Sequence, residues 1–307
     1  MTSKTEILTE CRLCGAKAKG RKIVGNFVYG GEAHQKFYHC TSCDVAFLHP
    51  PLTEEEEARF YTKEFEKFME KRAGKDFDWS GPESHFQSSQ KQYERRLPFL
   101  EDLLKPGKRV LEIGCSSGFM LVPLKNKGLE VVGVEPSGGF GEFLKKQDVK
   151  VYSSLEDLTA KEKEKFDIVM HFFVLEHIRE PIDFLKQGLA LLKDDGVMVF
   201  EVPSRDDPLV TIYNIPAFHK FYWSVAHHYY FNRVSLEFLL KKAAKKFEVI
   251  PEQRYDLSNH MTWARDGKPG GQKRFSEFFT PELEKAYRES MLKKGLCDSL
   301  IARIYKQ

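Results

Sequence analysis

Two patterns in this 307-residue sequence place reactive side chains at spacings that serve chemistry. The first is Cys11-Arg-Leu-Cys14 with Cys40-Thr-Ser-Cys43, two CxxC pairs separated by 25 residues. Each pair directs two sulfurs at one point, and four thiolates so arranged read as a closed, tetrahedral structural zinc site. Gly15, Gly30 and Gly31 supply the tight turns that such knuckles need. His34, His39 and His49 lie nearby, but four cysteines complete the set without them. The second pattern is Val110–Phe119, VLEIGCSSGF, an apolar run that ends in a glycine turn. Gly114 and Gly118 bracket three residues, and Ser116 stands where a dinucleotide fingerprint would have its middle glycine. Glu112, just before the turn, disfavours an anionic ligand and suits one with an amine. Glu135 ends the next apolar run, EVVGVEP, where a carboxylate suits a ribose diol and repels a 2′-phosphate.

Two histidines have the chemistry of a proton acceptor, since imidazole titrates near neutral pH. His177 lies in VLEHI and His227 in the aromatic stretch SVAHHYYFNRVSLEFLL. Each also has a plain structural reading, His227 bonding a loop and His177 capping a helix start. His228 and Tyr222 are weaker candidates. Asn259, His260 and Trp263 form a segment that could face a carbohydrate or sit in an ordinary surface loop.

The elements that must position these groups follow from periodicity. From residue 109 the chain alternates strand and helix: RVLEIG, EVVGVEP, VKVYSS, FDIVMHFF and GVMVFEVP read as strands, and the last helix before GVMVFEVP reads as REPIDFLKQGLALLKDD. This rhythm predicts an α/β fold, a Rossmann-like, doubly wound, mostly parallel sheet, preceded by a small zinc-ribbon-like module. The expected division is 1–50 for the zinc module, 51–105 for a helical linker or lid, 106–260 for the Rossmann-like domain and 261–307 for a C-terminal extension. Residues 205–231 are an aromatic insertion, FEVIPEQRYDL starts a late strand, and the tail from about 265 reads as polar, then helical.

Composition narrows the function classes. Lys and Arg number 48 against 45 Asp and Glu, a net charge of +3, which is not the footprint of a dedicated nucleic-acid binder. No apolar run is long enough for a membrane span, and the start of the sequence lacks the apolar region of a signal peptide. The expectation is a cytoplasmic protein with reduced thiols.

The turn residues and their order resemble motif I of class I S-adenosylmethionine (SAM) methyltransferases. VVGVEPS resembles that family's second motif, and FDIVMHFFVLEHIREP its signature after the fourth strand. The resemblance covers roughly residues 105–250 and implies SAM as cofactor. It implies that Gly114, Cys115 and Gly118 bring backbone to the methionine part, with Glu112 near the amine. Glu135 with Pro136 would hold the ribose, Leu155 and Glu156 would flank the adenine, and Phe172 and Phe173 would pack on the cofactor. A four-cysteine knuckle ahead of such a domain has precedents in sugar C-methyltransferases and in ribosomal RNA methyltransferases. The segment around His227 resembles the EH-x-x-YF-S/T segment of the sugar family, matching at His227, Tyr230 and Phe231, and in that family the histidine is implicated as base. Ala226 replaces the preceding acid and Ser224 a tyrosine, which turns the expectation from C- towards O-methylation. The expected reaction is methyl transfer from SAM to a hydroxyl of a sugar or sugar-linked metabolite, with no nucleic-acid partner. C-methylation of a nucleotide-linked sugar, RNA methylation with the zinc module as an RNA grip, and a non-catalytic zinc-ribbon interaction protein are the alternatives.

Overall fold

The computed structural model describes residues 8–17, 21–73 and 81–306. Residues 74–80, inside the expected helical region, lie outside the described residues. Two sheets form. The small one starts with β1 (Lys22–Gly25), β2 (Lys36–His39) and β3 (Ala46–His49), paired antiparallel with Phe37 opposite Leu48. The large sheet is built from β4 (Arg109–Ile113), β5 (Glu130–Val134), β6 (Lys150–Tyr152), β7 (Phe166–Phe172) and β8 (Leu192–Pro203), all parallel. Every residue of β7 is buried, as a strand covered on both faces requires. β9 (Tyr229–Tyr230) pairs with β3 and so ties the aromatic insertion to the small sheet. β10 (Lys246–Glu252) and β11 (Ser299–Tyr305) complete the large sheet in the order β10-β11-β8-β7-β4-β5-β6, with β11 antiparallel to both its neighbours.

The expected Rossmann-like sheet is present. The chain runs outward from β4 through β5 and β6, then returns to lay β7 and β8 on the other side. The crevice at the carboxyl ends of β4 and β7 is therefore the topological switch point, where ligands bind in such sheets. Two segments differ from the sequence reading. The helix ends at Leu191, and β8 begins at Leu192, because Leu192 is fully buried and pairs with Phe166. The tail read as polar and helical carries SLIARIY, which becomes β11 between β8 and β10; its apolar residues were hidden behind a long polar stretch.

Helices roof the crevice. Thr53 caps the helix Glu54–Arg59 through a capping box with Glu56, and the helix continues through a π-helical turn into Phe65–Ala73. The helices Pro82–Ser88 and Gln90–Arg96 follow. No helix among the described residues is long and apolar enough to cross a membrane.

His171 on β7 is wholly buried, stacked on Phe200 with ring centroids 4.6 Å apart, and neither ring nitrogen has a hydrogen-bond partner. Burial drives its pKa from 6.5 down to about 3. The folded state thus keeps it neutral while the unfolded chain takes up a proton below 6.5, so stability falls as pH drops from 6.5 towards 3. For this one group the slope reaches about 1.4 kcal/mol per pH unit. His171→Phe should flatten the fall in melting midpoint between pH 6 and pH 4, measured by calorimetry; an unchanged slope would remove His171 from the acid response.

Candidate active site and cysteine cluster

β4 delivers its last residues into the turn that the sequence singled out. Gly114 and Gly118 both have φ of +73°, a left-handed conformation that favours glycine. A Cβ at Gly114 would lie 2.7 Å from Val174 Cγ2, and one at Gly118 would run into Leu144. Cys115 is buried beside Gly133, and burial pushes its thiol well above the ordinary range, so it fills space rather than attacks. Glu135 accepts hydrogen bonds from the backbone N–H of Ser116 (2.7 Å) and of Ser137 (2.8 Å), which fixes the end of β5 to the turn. Glu112 is buried, and its Oε2 has no partner. Burial raises its pKa well above the usual carboxylate range, with Arg96 opposing and Glu135 adding to the rise.

The remaining expected cofactor residues lie at or after the carboxyl ends of β5, β6 and β7. Pro136 is exposed at the rim. Leu155, half-buried, and exposed Glu156 open the helix Leu155–Lys161, which Ser154 caps. Phe172 is buried, and Phe173, with φ of +57°, is half-buried. The Arg96 guanidinium lies over Phe172 at 4.2 Å, and Arg254 lies over Phe173 at 4.7 Å.

Several site residues escaped the sequence reading. Arg95 and Arg96 both donate to Glu201 Oε2, at 2.7 and 3.0 Å, and Arg254 lies 4.0 Å from Glu201 Oε1. Burial would raise the Glu201 pKa, but the three guanidiniums overcome it and hold the group at about 2. A lone acid inside the buried run VMVFEVP was the signal that could have exposed this cluster. His85, in the helix Pro82–Ser88, hydrogen-bonds with Ser117 Oγ at 2.8 Å and packs on Phe119 and Phe140, roofing the glycine turn. Together the crevice offers an unpartnered carboxylate oxygen for an ammonium, a carboxylate at the second strand end for a diol, and guanidinium for a carboxylate. SAM carries all three groups, so the donor set fits it.

The structure brings His177 and His227 together, with rings T-shaped and centroids 4.6 Å apart. The Nδ1–H of His177 donates to the Ala226 carbonyl at 2.8 Å and lies 3.0 Å from the Tyr61 hydroxyl. Burial lowers the pKa of His177 to about 4; burial, then His177 and Arg72, pushes that of His227 well below 6.5. Tyr230 and Phe231 are core residues, Tyr230 packing among Phe37, Tyr222 and Trp223. The segment with Asn259 and His260 is the helix Leu257–Asp266, not a loop, and Trp263 is buried against Phe218 and Phe221, so it gives no open face to a carbohydrate.

Cys11, Cys14, Cys40 and Cys43 converge, with all four sulfurs within 4.8 Å of one another. Cys11 and Cys43 sulfurs are 3.8 Å apart, and those of Cys14 and Cys40 are 3.7 Å apart. Sulfurs held about 2.3 Å from one tetrahedral zinc lie about 3.8 Å apart, so the set fits zinc. The cluster is joined to the histidine side: Arg12, inside the first CxxC, contacts His228 Nδ1 at 3.1 Å, and His228 Nε2 lies 3.3 Å from Glu57.

The sequence of a family described as a methyltransferase domain matches residues 85–244, which is 160 of the 307 residues. The chain belongs to this methyltransferase family. The methyltransferase domain is similar to a ubiquinone biosynthesis O-methyltransferase from Bradyrhizobium diazoefficiens, 35% identical over 121 residues that cover 38% of this chain and 47% of the relative. It is also similar to a tRNA U34 carboxymethyltransferase from Pseudoalteromonas translucida, 36% identical over 118 residues, covering 36% of this chain and 35% of the relative. The matched stretch thus spans less than half of either relative. A crystal structure of a SAM-dependent methyltransferase from Archaeoglobus fulgidus shares the fold, with a TM-score of 0.50 at 20% identity over 80% of this chain and 100% of that one.

Proposed function

We propose that this methyltransferase transfers a methyl group from SAM to a hydroxyl of a small organic acceptor. The observation that carries the reading is the pair of carboxylates, Glu112 and Glu135, on either side of the Gly114–Gly118 turn, with buried His227 packed on half-buried His177 beyond the end of β7. Glu112 receives the ammonium of the cofactor, Glu135 with Pro136 its ribose, and the backbone of Gly114, Cys115 and Gly118 its methionine part. Arg96 takes the carboxylate, Leu155 and Glu156 flank the adenine, and Phe172 and Phe173 pack on the ligand. When bound, SAM supplies an activated methyl for in-line displacement, so the protein's work is alignment and proton removal. His227, with His177 against it, is the proton acceptor. Glu135→Ala removes charge-assisted bonds worth roughly 1.5–3 kcal/mol. It should weaken SAM binding by about 10- to 100-fold in calorimetry; unchanged affinity would overturn the ribose assignment.

The relative named for O-methylation supports oxygen as the methylated atom. The sugar or sugar-linked acceptor rests on the resemblance around His227, Tyr230 and Phe231. A second reading, RNA as acceptor, is favoured by the relative named for tRNA. Methyl-labelled SAM incubated with this protein and a cell extract separates them: label in the small-molecule or glycan fraction supports the first, and label in RNA supports the second.

The four cysteines hold a structural zinc with no open position. The ion offsets the charge of four thiolates, three of them buried and Cys14 half-buried, and fixes both knuckles. Metal analysis of the full chain should find one zinc per molecule, and Cys40→Ser should abolish it and lower the melting midpoint. A metal-free chain from zinc-supplemented cells, with the same midpoint as the variant, would overturn this site.

A further inference from the structure

We propose that Glu176 serves with His227 as one proton-accepting pair, the carboxylate balancing the charge that the imidazole gains at the acceptor site. This rests on the methyltransferase reading above. Glu176 belongs to the turn Leu175–His177 after β7, and His227 to the insertion before β9. One backbone hydrogen bond pins the two segments: the N–H of His228 donates to the Glu176 carbonyl at 2.7 Å. The side chains beside that bond are thereby forced together. A carboxylate oxygen of Glu176 and one ring nitrogen of each of His177 and His227 lie within 4.8 Å of one another.

Two polar atoms in this cluster are buried without hydrogen-bond partners, Glu176 Oε2 and His227 Nδ1. Each orphan costs about 1–3 kcal/mol. Such groups need an explanation, and a site that gains and loses a proton supplies one. His177 is already committed. Its Nδ1–H donates to Ala226, so in the neutral ring the bare nitrogen is Nε2, which lies 3.9 Å from Glu176 Oε1. His177 thus faces the carboxyl with a bare nitrogen beyond hydrogen-bond distance, and its only N–H is already used. His227 is the ring left free to exchange a proton.

The surroundings decide how the pair works. Facing it are Tyr61, Glu57 and Arg72 from the N-terminal helices, Glu201 on β8, Arg254 after β10, and His177, His228 and Tyr230. An imidazolium at His227 alone would be a buried cation beside Arg72, which explains its depressed pKa. The carboxyl of Glu176 is raised by burial to about 8, against the pull of Arg254 and Arg72. Once Glu176 ionises, the pair carries one negative charge, and taking up a proton makes it neutral overall. The isolated cation is avoided. During transfer, the acceptor O–C bond forms as the methyl C–S bond breaks, and the hydroxyl proton passes to His227 next to the Glu176 carboxylate. S-adenosylhomocysteine leaves, and the proton then passes to water. Glu176 acts through His227 and is a positioning residue.

The test uses the full chain with 15N-labelled histidine, followed by NMR from pH 5 to pH 10, with His227 assigned by His227→Gln. The wild-type His227 resonance should move with a midpoint near pH 8, reporting ionisation of its neighbour. Glu176→Gln should erase that step, and Glu176→Asp should keep a step at a shifted midpoint, which preserves the test if the glutamine variant does not fold. In the labelled-SAM assay, transfer should rise through the same pH range and fall about a hundredfold or more in Glu176→Gln. A His227 resonance with no step near pH 8, or a step that survives in Glu176→Gln, overturns the pair. Calorimetry of SAM on the wild-type chain separates the two readings: absence of SAM binding sinks the methyltransferase site, whereas the titration judges the pair by itself.

Discussion

A carboxylate buried at the end of β8 cannot remain charged unless other elements bring it counter-charge. Glu201 has no solvent exposure, and removing such an ion from water costs several kcal/mol even after relaxation. Arg95 and Arg96 answer from the helix Gln90–Arg96, Arg254 from the segment after β10, and Ser299 donates its hydroxyl to Glu201 Oε1 at 2.8 Å from β11. One acid therefore draws the N-terminal helices, the sheet and the C-terminal strand to a single point above the crevice. Arg254 is held from behind by Asp298 at 2.7 Å, so its guanidinium cannot swing away. Removing Glu201 would leave three crowded cations, a larger penalty than the loss of one ion pair.

The small sheet depends on a second acid, Asp44, placed directly after Cys43. It accepts from Asn232 Nδ2 at 2.6 Å, from Arg205 at 3.1 Å, and pairs with His39 at 2.5 Å. Arg205 and Asn232 lie at the two ends of the aromatic insertion. The cysteine knuckle thus closes the insertion like a clasp, and β9 adds strand pairing between Phe47 and Tyr229. This geometry gives the N-terminal module a role in holding His227 and His228 in place, independent of any contact with RNA.

What was legible in the sequence was local. The glycine turn, the acids at two strand ends, the apolar runs and the CxxC pairs each fit within a dozen residues, and the fold puts them where those patterns imply. The arginines did not announce themselves, because Arg95 and Arg96 look like any charged helix face until Glu201, over a hundred residues later, lies beneath them. Glu176 was passed over for the same reason: in VLEHI it is an ordinary acid, and its meaning comes from His227. β11 was missed because seven apolar-rich residues can be strand or helix, and only the open edges of β8 and β10 decide. Trp263 stayed open between a carbohydrate face and a surface loop, and only the packing of Phe218 and Phe221 against it shows a core residue.

Two buried acids near each other show how one fold gives like groups different charge states. Glu201 is surrounded by guanidiniums and stays ionised, whereas Glu176, a short distance away, has no donor on Oε2 and is raised by burial. Both are wholly buried, so burial alone does not distinguish them; the count of nearby hydrogen-bonded cations does. The arginines that fix Glu201 make it useless as a base. The histidines beside Glu176, each neutral and poorly able to hold a proton unaided, leave that carboxyl as the group whose charge can change near working pH. The charge states of the two acids are thus set by the guanidiniums that the helix Gln90–Arg96 and the segment after β10 bring against Glu201 and do not bond to Glu176.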